Sequence, residues 1–150
     1  MTDPDYQLHR QFGALLVPLA RGYRRQLDRG LAGLSLSHSM ALAVMLIGRV
    51  GDGMRQGMLA DQLGMEAPSV VPIIAQMERA GLVERRIDAG DKRARTLHLT
   101  DAGRELAAQA EARSAEVRHE LLAGIDAADL ATAISVMDRL SGTIEAAGRD

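Results

Sequence analysis

The chain has 150 residues, 47% of them hydrophobic, which is enough to bury the core of one domain and excludes a disordered segment as the default state. It contains no cysteine, which excludes a disulfide framework, a zinc-thiolate centre and thiol redox sensing. Its formal charge of −2 excludes a polycation that grips nucleic acid over its whole surface, so any such binding has to come from a local basic patch.

Aromatic residues make up only 2% of the chain, so Leu, Ile, Val, Met and Ala must do the packing, and a strongly helical protein is expected. The first 30 residues open with Asp3 and Asp5 and place Arg21, Arg24, Arg25 and Arg29 after them. This order signals neither secretion nor a membrane anchor and favours the cytoplasm.

Leu8, Phe12, Leu15, Leu16, Leu19, Tyr23 and Leu27 recur at spacings of three and four, which predicts a long amphipathic first helix kinked at Pro18. Ser37 can cap a second helix, and because Met40 to Ile47 is apolar on every side that helix belongs in the middle of the fold. Gly51, Asp52 and Gly53 end it. A short helix over about Met58–Leu63, closed by Gly64, precedes another from Pro68 or Ser69 to Ala80, closed by Gly81. Pro72 within this last helix calls for a start near Ser69 or a kink at Pro72.

Beyond Gly81 the helical period gives way: Leu82, Val83 and Ile87, then Thr96, Leu97, His98 and Leu99, flank a polar tip at Asp88 to Arg95 containing Gly90. A two-stranded hairpin over 82–99 follows. Between Arg85 and Arg95 it holds five cations (Arg85, Arg86, Lys92, Arg93 and Arg95) against two anions, Asp88 and Asp91. Phosphates favour such a protruding tip, and arginine suits a narrow minor groove, where negative potential is focused. Thr100 can cap a long helix through Leu106, Ala110, Val117 and Leu121, and Asp126 with Asp129 caps a last one through Leu130, Ile134, Met137 and Ile144.

No nucleophile with its base, carboxylate pair or metal cluster is visible among the scattered His9, His38, His98 and His119, so neither catalysis nor a cofactor is expected. The methionines at helical spacing fill a ring-poor core more simply than they sense metal or oxidant.

Residues 81–103 contain Gly81-Leu82-Val83-x-Arg85, Asp91-x-Arg93 and Leu99-Thr100-x-x-Gly103. This segment resembles the hairpin wing of the MarR family of transcription regulators. Leu59-Ala60-Asp61-Gln62-Leu63-Gly64 with Pro68-Ser69-Val70-Val71 resembles the family's helix-turn-helix, particularly its SlyA-like branch, as does Glu120-Leu121-Leu122-Ala123-Gly124-Ile125. The resemblance implies a mainly α fold with a small β-hairpin wing, in which a winged helix-turn-helix is flanked by N- and C-terminal dimerisation helices. Residues 1–150 then form one domain, with dimerisation helices at 5–33 and 101–147 around a reading head at 36–100.

The function implied is that of a homodimeric regulator binding a pseudo-palindromic duplex DNA operator, with no membrane partner. Its recognition helix enters the major groove with Ser69, Val70 and Gln76, and its wing enters the minor groove with Arg86, Lys92, Arg93 and Arg95. Arg93 matches the family's groove-inserting arginine, and Asp91 orients the tip through a salt bridge. The family often carries a basic residue where Pro72 stands, so Ser69 and Gln76 are left as the polar readers, while neighbouring apolar side chains either touch thymine methyl groups or face the core. Relatives often bind small aromatic anions between the dimer helices and the reading head, which makes Arg21, Tyr23, Arg24, Ser35 and His38 the effector candidates. The rival reading is a winged-helix module used for protein contacts.

Overall fold

The computed structural model describes residues 4–34, 36–51 and 53–148. In chain order they form α1 (Pro4–Leu31), α2 (His38–Val50), β1 (Met54–Arg55), α3 (Gln56–Leu63), α4 (Ala67–Arg79), β2 (Val83–Ile87), β3 (Arg95–Leu99), α5 (Asp101–Leu122) and α6 (Ala127–Ala147). The described residues fall into two compact units, divided between Val117 and Arg118. Among the described residues, no helix is long and apolar enough to cross a membrane.

The first unit is built around α2, as its all-round apolarity requires. Met40, Ala43, Val44 and Ile47 pack with Leu59 and Leu63 of α3, with Val70, Ile74 and Met77 of α4, and with Leu97 of β3. Each large aliphatic side chain buried here contributes about 1.5–3 kcal/mol of transfer free energy. A second cluster, Leu31, Leu34, Ala41, Met45 and Ala110, joins the end of α1 to the other side of α2 and to α5.

Local chemistry sets the helix ends. Ser37 caps α2, its hydroxyl accepting from the Met40 N–H at 3.4 Å. At the end of α4, Gly81 takes φ +69°, which lets the Gly81 N–H reach the Glu78 carbonyl and the Leu82 N–H reach the Met77 carbonyl, each at 3.0 Å. The chain reverses there and enters the sheet. In the second unit Asp126 caps α6 by accepting from the Ala128 N–H at 2.7 Å.

Two expectations change. The hairpin is part of a three-stranded antiparallel sheet in the order β1-β3-β2, with Met54 opposite Leu97 and Val83 opposite Leu99. A two-residue strand is too short to show alternation, and only its partner makes it legible. Helix α4 begins at Ala67 rather than near Ser69, which puts Pro68 in its first turn and Pro72 in its second. Pro72 has no N–H for the Pro68 carbonyl, yet the helix continues to Arg79 because Val70, Ile74 and Met77 anchor it on both sides. Helix α1 likewise continues past Pro18.

The Leu99-Thr100-x-x-Gly103 motif seats α5 against the end of α4. The Thr100 hydroxyl accepts from the Gly103 N–H at 3.1 Å and donates to the Gly81 carbonyl at 2.6 Å, while the Thr100 N–H donates to the Leu82 carbonyl at 3.0 Å. A Cβ added at Gly103 would overlap the Leu82 carbonyl oxygen, backbone that cannot rotate away. Gly103→Ala is therefore expected to destabilise the fold by about 1–3 kcal/mol or more. A urea midpoint within error of the parent's would contradict this packing.

Candidate nucleic-acid interface

Helix α4 buries Val70, Ile74 and Met77, and this fixes which side chains face outward. Pro68, Ser69, Val71, Pro72, Gln76 and Arg79 are exposed. Ser69 and Gln76 are on this outward side. Val70 is not: it is fully buried among the α2 and α3 side chains, and Val71, 43% exposed, holds the outer position. The spacing of Val70, Ile74 and Met77 carried this signal, since residues four and seven apart share one helix face.

The wing projects as a twisted pair of strands whose faces differ in role. Val83 and Leu97 point into the core, and Arg85, on that same face, pairs with Glu78 of α4 at 2.7 Å. Arg85 therefore ties wing to helix. On the opposite face Arg86 is exposed and pairs with Glu84 at 3.1 Å. At the tip Arg95 donates to the Lys92 and Ala94 carbonyls at 3.2 and 3.3 Å, which folds its side chain back on the turn. Lys92 and Arg93 are exposed, and their side chains form no hydrogen bond or ion pair among the described residues.

The carboxylates leave those two cations unpaired because they bond to backbone instead. Asp91 does not form the expected salt bridge; its Oδ1 accepts from the Arg93 N–H at 3.0 Å. A short carboxylate reaches the amide two residues on more readily than a long flexible side chain. Asp88, in the sequence simply one of two anions near the tip, organises the turn. Its Oδ1 accepts from the Gly90 and Asp91 N–H groups at 2.8 and 3.0 Å, and its Oδ2 accepts from Arg55 Nε at 3.2 Å. Arg55 is 33 residues away in sequence, and nothing in the local pattern announced it.

These bonds, first those from Gly90 and Asp91 and then Arg55, hold the Asp88 carboxyl below its ordinary pKa of 3.8. A carboxylate with a depressed folded-state pKa stabilises the structure above its unfolded value and loses that contribution as pH falls through the folded one. The wing turn is expected to persist through the usual carboxylate range and to loosen only in stronger acid, whereas Asp88→Ala loosens it at neutral pH. Amide exchange at Gly90 and Asp91 reports both, and equal protection in parent and variant at pH 7 would contradict this role.

Between the start of α3, the start of α4 and the wing lies an open cleft of about 640 Å³, lined in part by Arg55, Met58, Asp61, Arg93 and Arg95. An exposed helix, a cationic tip beside it and a basic cleft between them form one continuous surface for a polyanion.

Comparison with known proteins agrees with this geometry. A family model described as MarR family matches residues 32–94. The chain is 35% identical to the transcriptional regulator PA3341, whose crystal structure matches with a TM-score of 0.80 over 89% of this chain and 98% of that one. The chain belongs to the MarR family. Two further structures share the fold at lower identity. A MarR-family transcriptional regulator from Rhodococcus sp. RHA1 is 21% identical, with a TM-score of 0.75 over 89% and 94% of the two chains. MepR of S. aureus, solved as a DNA complex, is 18% identical, with a TM-score of 0.72 over 88% and 97%.

As a MarR-family chain this protein is a winged-helix transcriptional regulator and not an enzyme. Its effector candidates are dispersed. Arg21, Tyr23 and Arg24 are exposed on α1, and Ser35 lies outside the described residues. His38, at the start of α2, is half-buried with Nε2 2.9 Å from Asp28 Oδ1, an ion-pair distance without hydrogen-bond geometry. The fold therefore gives His38 a partner of its own between α1 and α2.

Proposed function

We propose that this MarR-family regulator binds double-stranded DNA as a homodimer in the cytoplasm, laying α4 of each subunit in the major groove and its wing in the adjacent minor groove. The reading rests on one observation: Lys92 and Arg93 stand exposed and unpaired at the wing tip while Asp88 and Asp91 bond backbone amides. Arg93 enters the minor groove, Lys92, Arg95 and Arg86 engage the flanking backbone, and Asp91 orients the tip through the Arg93 amide. Ser69 and Gln76 face the bases from α4. Arg55, which lines the cleft and pairs with Asp88 through Nε, has its remaining N–H groups left for a phosphate.

In this reading residues 36–100 are the reading head, and the helices at 5–33 and 101–147 hold two copies together within a single domain of SlyA-like type. Two-fold symmetry then sets half-sites about 10 bp apart on a pseudo-palindromic operator. A small-molecule effector acts from the α1–α2 region, where Arg21, Tyr23, Arg24, Ser35 and His38 are the candidate contacts.

Selection of bound duplexes from a random library, at low salt and with the dimer verified, tests the proposal. Enrichment of a palindrome supports it. Failure to enrich any sequence turns the reading toward a winged helix used for protein contacts, for which the apolar outer face of α4 would serve.

A further inference from the structure

The outward stripe of α4 is unusually poor in hydrogen-bonding groups. With Val70, Ile74 and Met77 buried, Pro68 and Pro72 lie one turn apart along the exposed side with Ser69 and Val71 between them, followed by Gln76 and Arg79, with Ala75 half-buried beside them. Neither proline carries a side-chain donor or a backbone N–H. No Lys or Arg occurs in α4 before Arg79, at its last turn.

Major-groove edges differ in chemistry. Guanine offers two acceptors and is matched by Arg or Lys; adenine offers an acceptor beside a donor and is matched by an amide; thymine adds a 5-methyl group matched by apolar surface. A proline ring pressed on a guanine or cytosine edge would strip water from polar atoms and return no bond. On a thymine methyl it loses nothing.

Resting on the DNA-binding reading above, we infer that α4 selects A·T pairs at the centre of each half-site, through contact of Pro68 and Pro72 with thymine 5-methyl groups and of the Gln76 amide with adenine. The exposed Lys92 and Arg93 beside this helix supply the attraction to phosphate that an apolar stripe lacks, so affinity comes from the wing and discrimination from the prolines and Gln76.

Deoxyuridine pairs as thymidine does but lacks the methyl group. The protein first selects duplexes from a random library; these are resynthesised with deoxyuridine at each half-site thymidine in turn, and affinity is measured against salt. Selected sites should carry A·T pairs at the half-site centre. Loss of one central methyl should weaken binding about fourfold, the factor that corresponds to about 0.8 kcal/mol for one buried methyl-sized group. Pro72→Ala restores the backbone N–H and so is not expected to unfold the helix. It should abolish the difference between uracil and thymine at one position and leave the salt slope unchanged.

Selected half-sites centred on G·C pairs, or equal affinity for uracil and thymine at every position with a steep salt slope retained, would overturn methyl reading and leave DNA binding standing. Absence of binding to any duplex at low salt would overturn both.

Discussion

Lys92→Ala combined with Arg93→Ala is expected to cost on the order of a hundredfold or more in affinity for the selected operator. Each charge-assisted hydrogen bond contributes roughly 1.5–3 kcal/mol, and in a dimer every substitution acts twice, so the two Lys92–phosphate bonds alone amount to about 3 kcal/mol. The dependence on salt should change as well. Each phosphate neutralised by one cation fewer lowers the slope of log affinity against log salt by about 0.9, so the double variant should be shallower by about two to four. Both side chains are exposed and unpaired, so the fold should not notice their removal. Arg85→Ala provides the contrast, because Arg85 is paired with Glu78 and faces the core side of the sheet. That variant should leave the slope nearly intact while loosening the junction between wing and α4. Fluorescence anisotropy of a labelled duplex over a salt series measures both quantities. An unchanged slope in the Lys92/Arg93 variant would remove the wing from the interface.

The helices of the reading head were legible because their ends are chemically marked. Ser37, Gly51, Gly64 and Gly81 sit where the helix ends require a cap or a reversal, and each does in the structure what its residue type favours. The hairpin was legible for a similar reason, with a polar glycine-containing turn between apolar runs. What escaped was non-local. Strand β1 exists only because Met54 and Arg55 find Leu97 and Thr96, far along the chain. The Arg55–Asp88 pair, which braces the wing, has no local signature either.

The site was legible in composition more than in geometry. Five cations near the tip do form a basic patch, but their count overstates what is available to a ligand. Arg85 is held by Glu78 on the core side of the sheet, whereas Arg86 and Arg95 have to give up Glu84 and the neighbouring carbonyls before they meet a phosphate. Pairing across strands and helices decides which charges stay free, and a linear reading does not contain it. The misplacement of Val70 is different in kind: helix phase was readable from Ile74 and Met77, and a half-turn error moved one valine from the core to the surface.

The second large effect concerns assembly. Helix α1 exposes Leu8, Leu15 and Leu19 at 62%, 65% and 63%, together with Phe12 and Leu16, at the spacing that made it amphipathic. Helix α6, in the other unit, buries none of its described residues and exposes Ile134, Met137 and Ile144. Helices that show such faces to water gain their stability only when the faces are covered, and a second copy of the chain is the cover the proposed function requires. Leu15→Glu with Leu19→Glu places two carboxylates on the α1 face, where burial without a partner is prohibitive. Light scattering should then report a monomer, with the core around Ile47 and Met77 still cooperatively folded. Affinity for a two-half-site operator should fall by about 10²–10⁴, because the second head no longer binds at high effective concentration. Affinity for a single half-site should stay unchanged, which separates this loss from that of the wing variant, where both fall together. If the charged variant remained a dimer, the α1 face would be excluded as the contact, and the assembly would have to rest on α5 and α6.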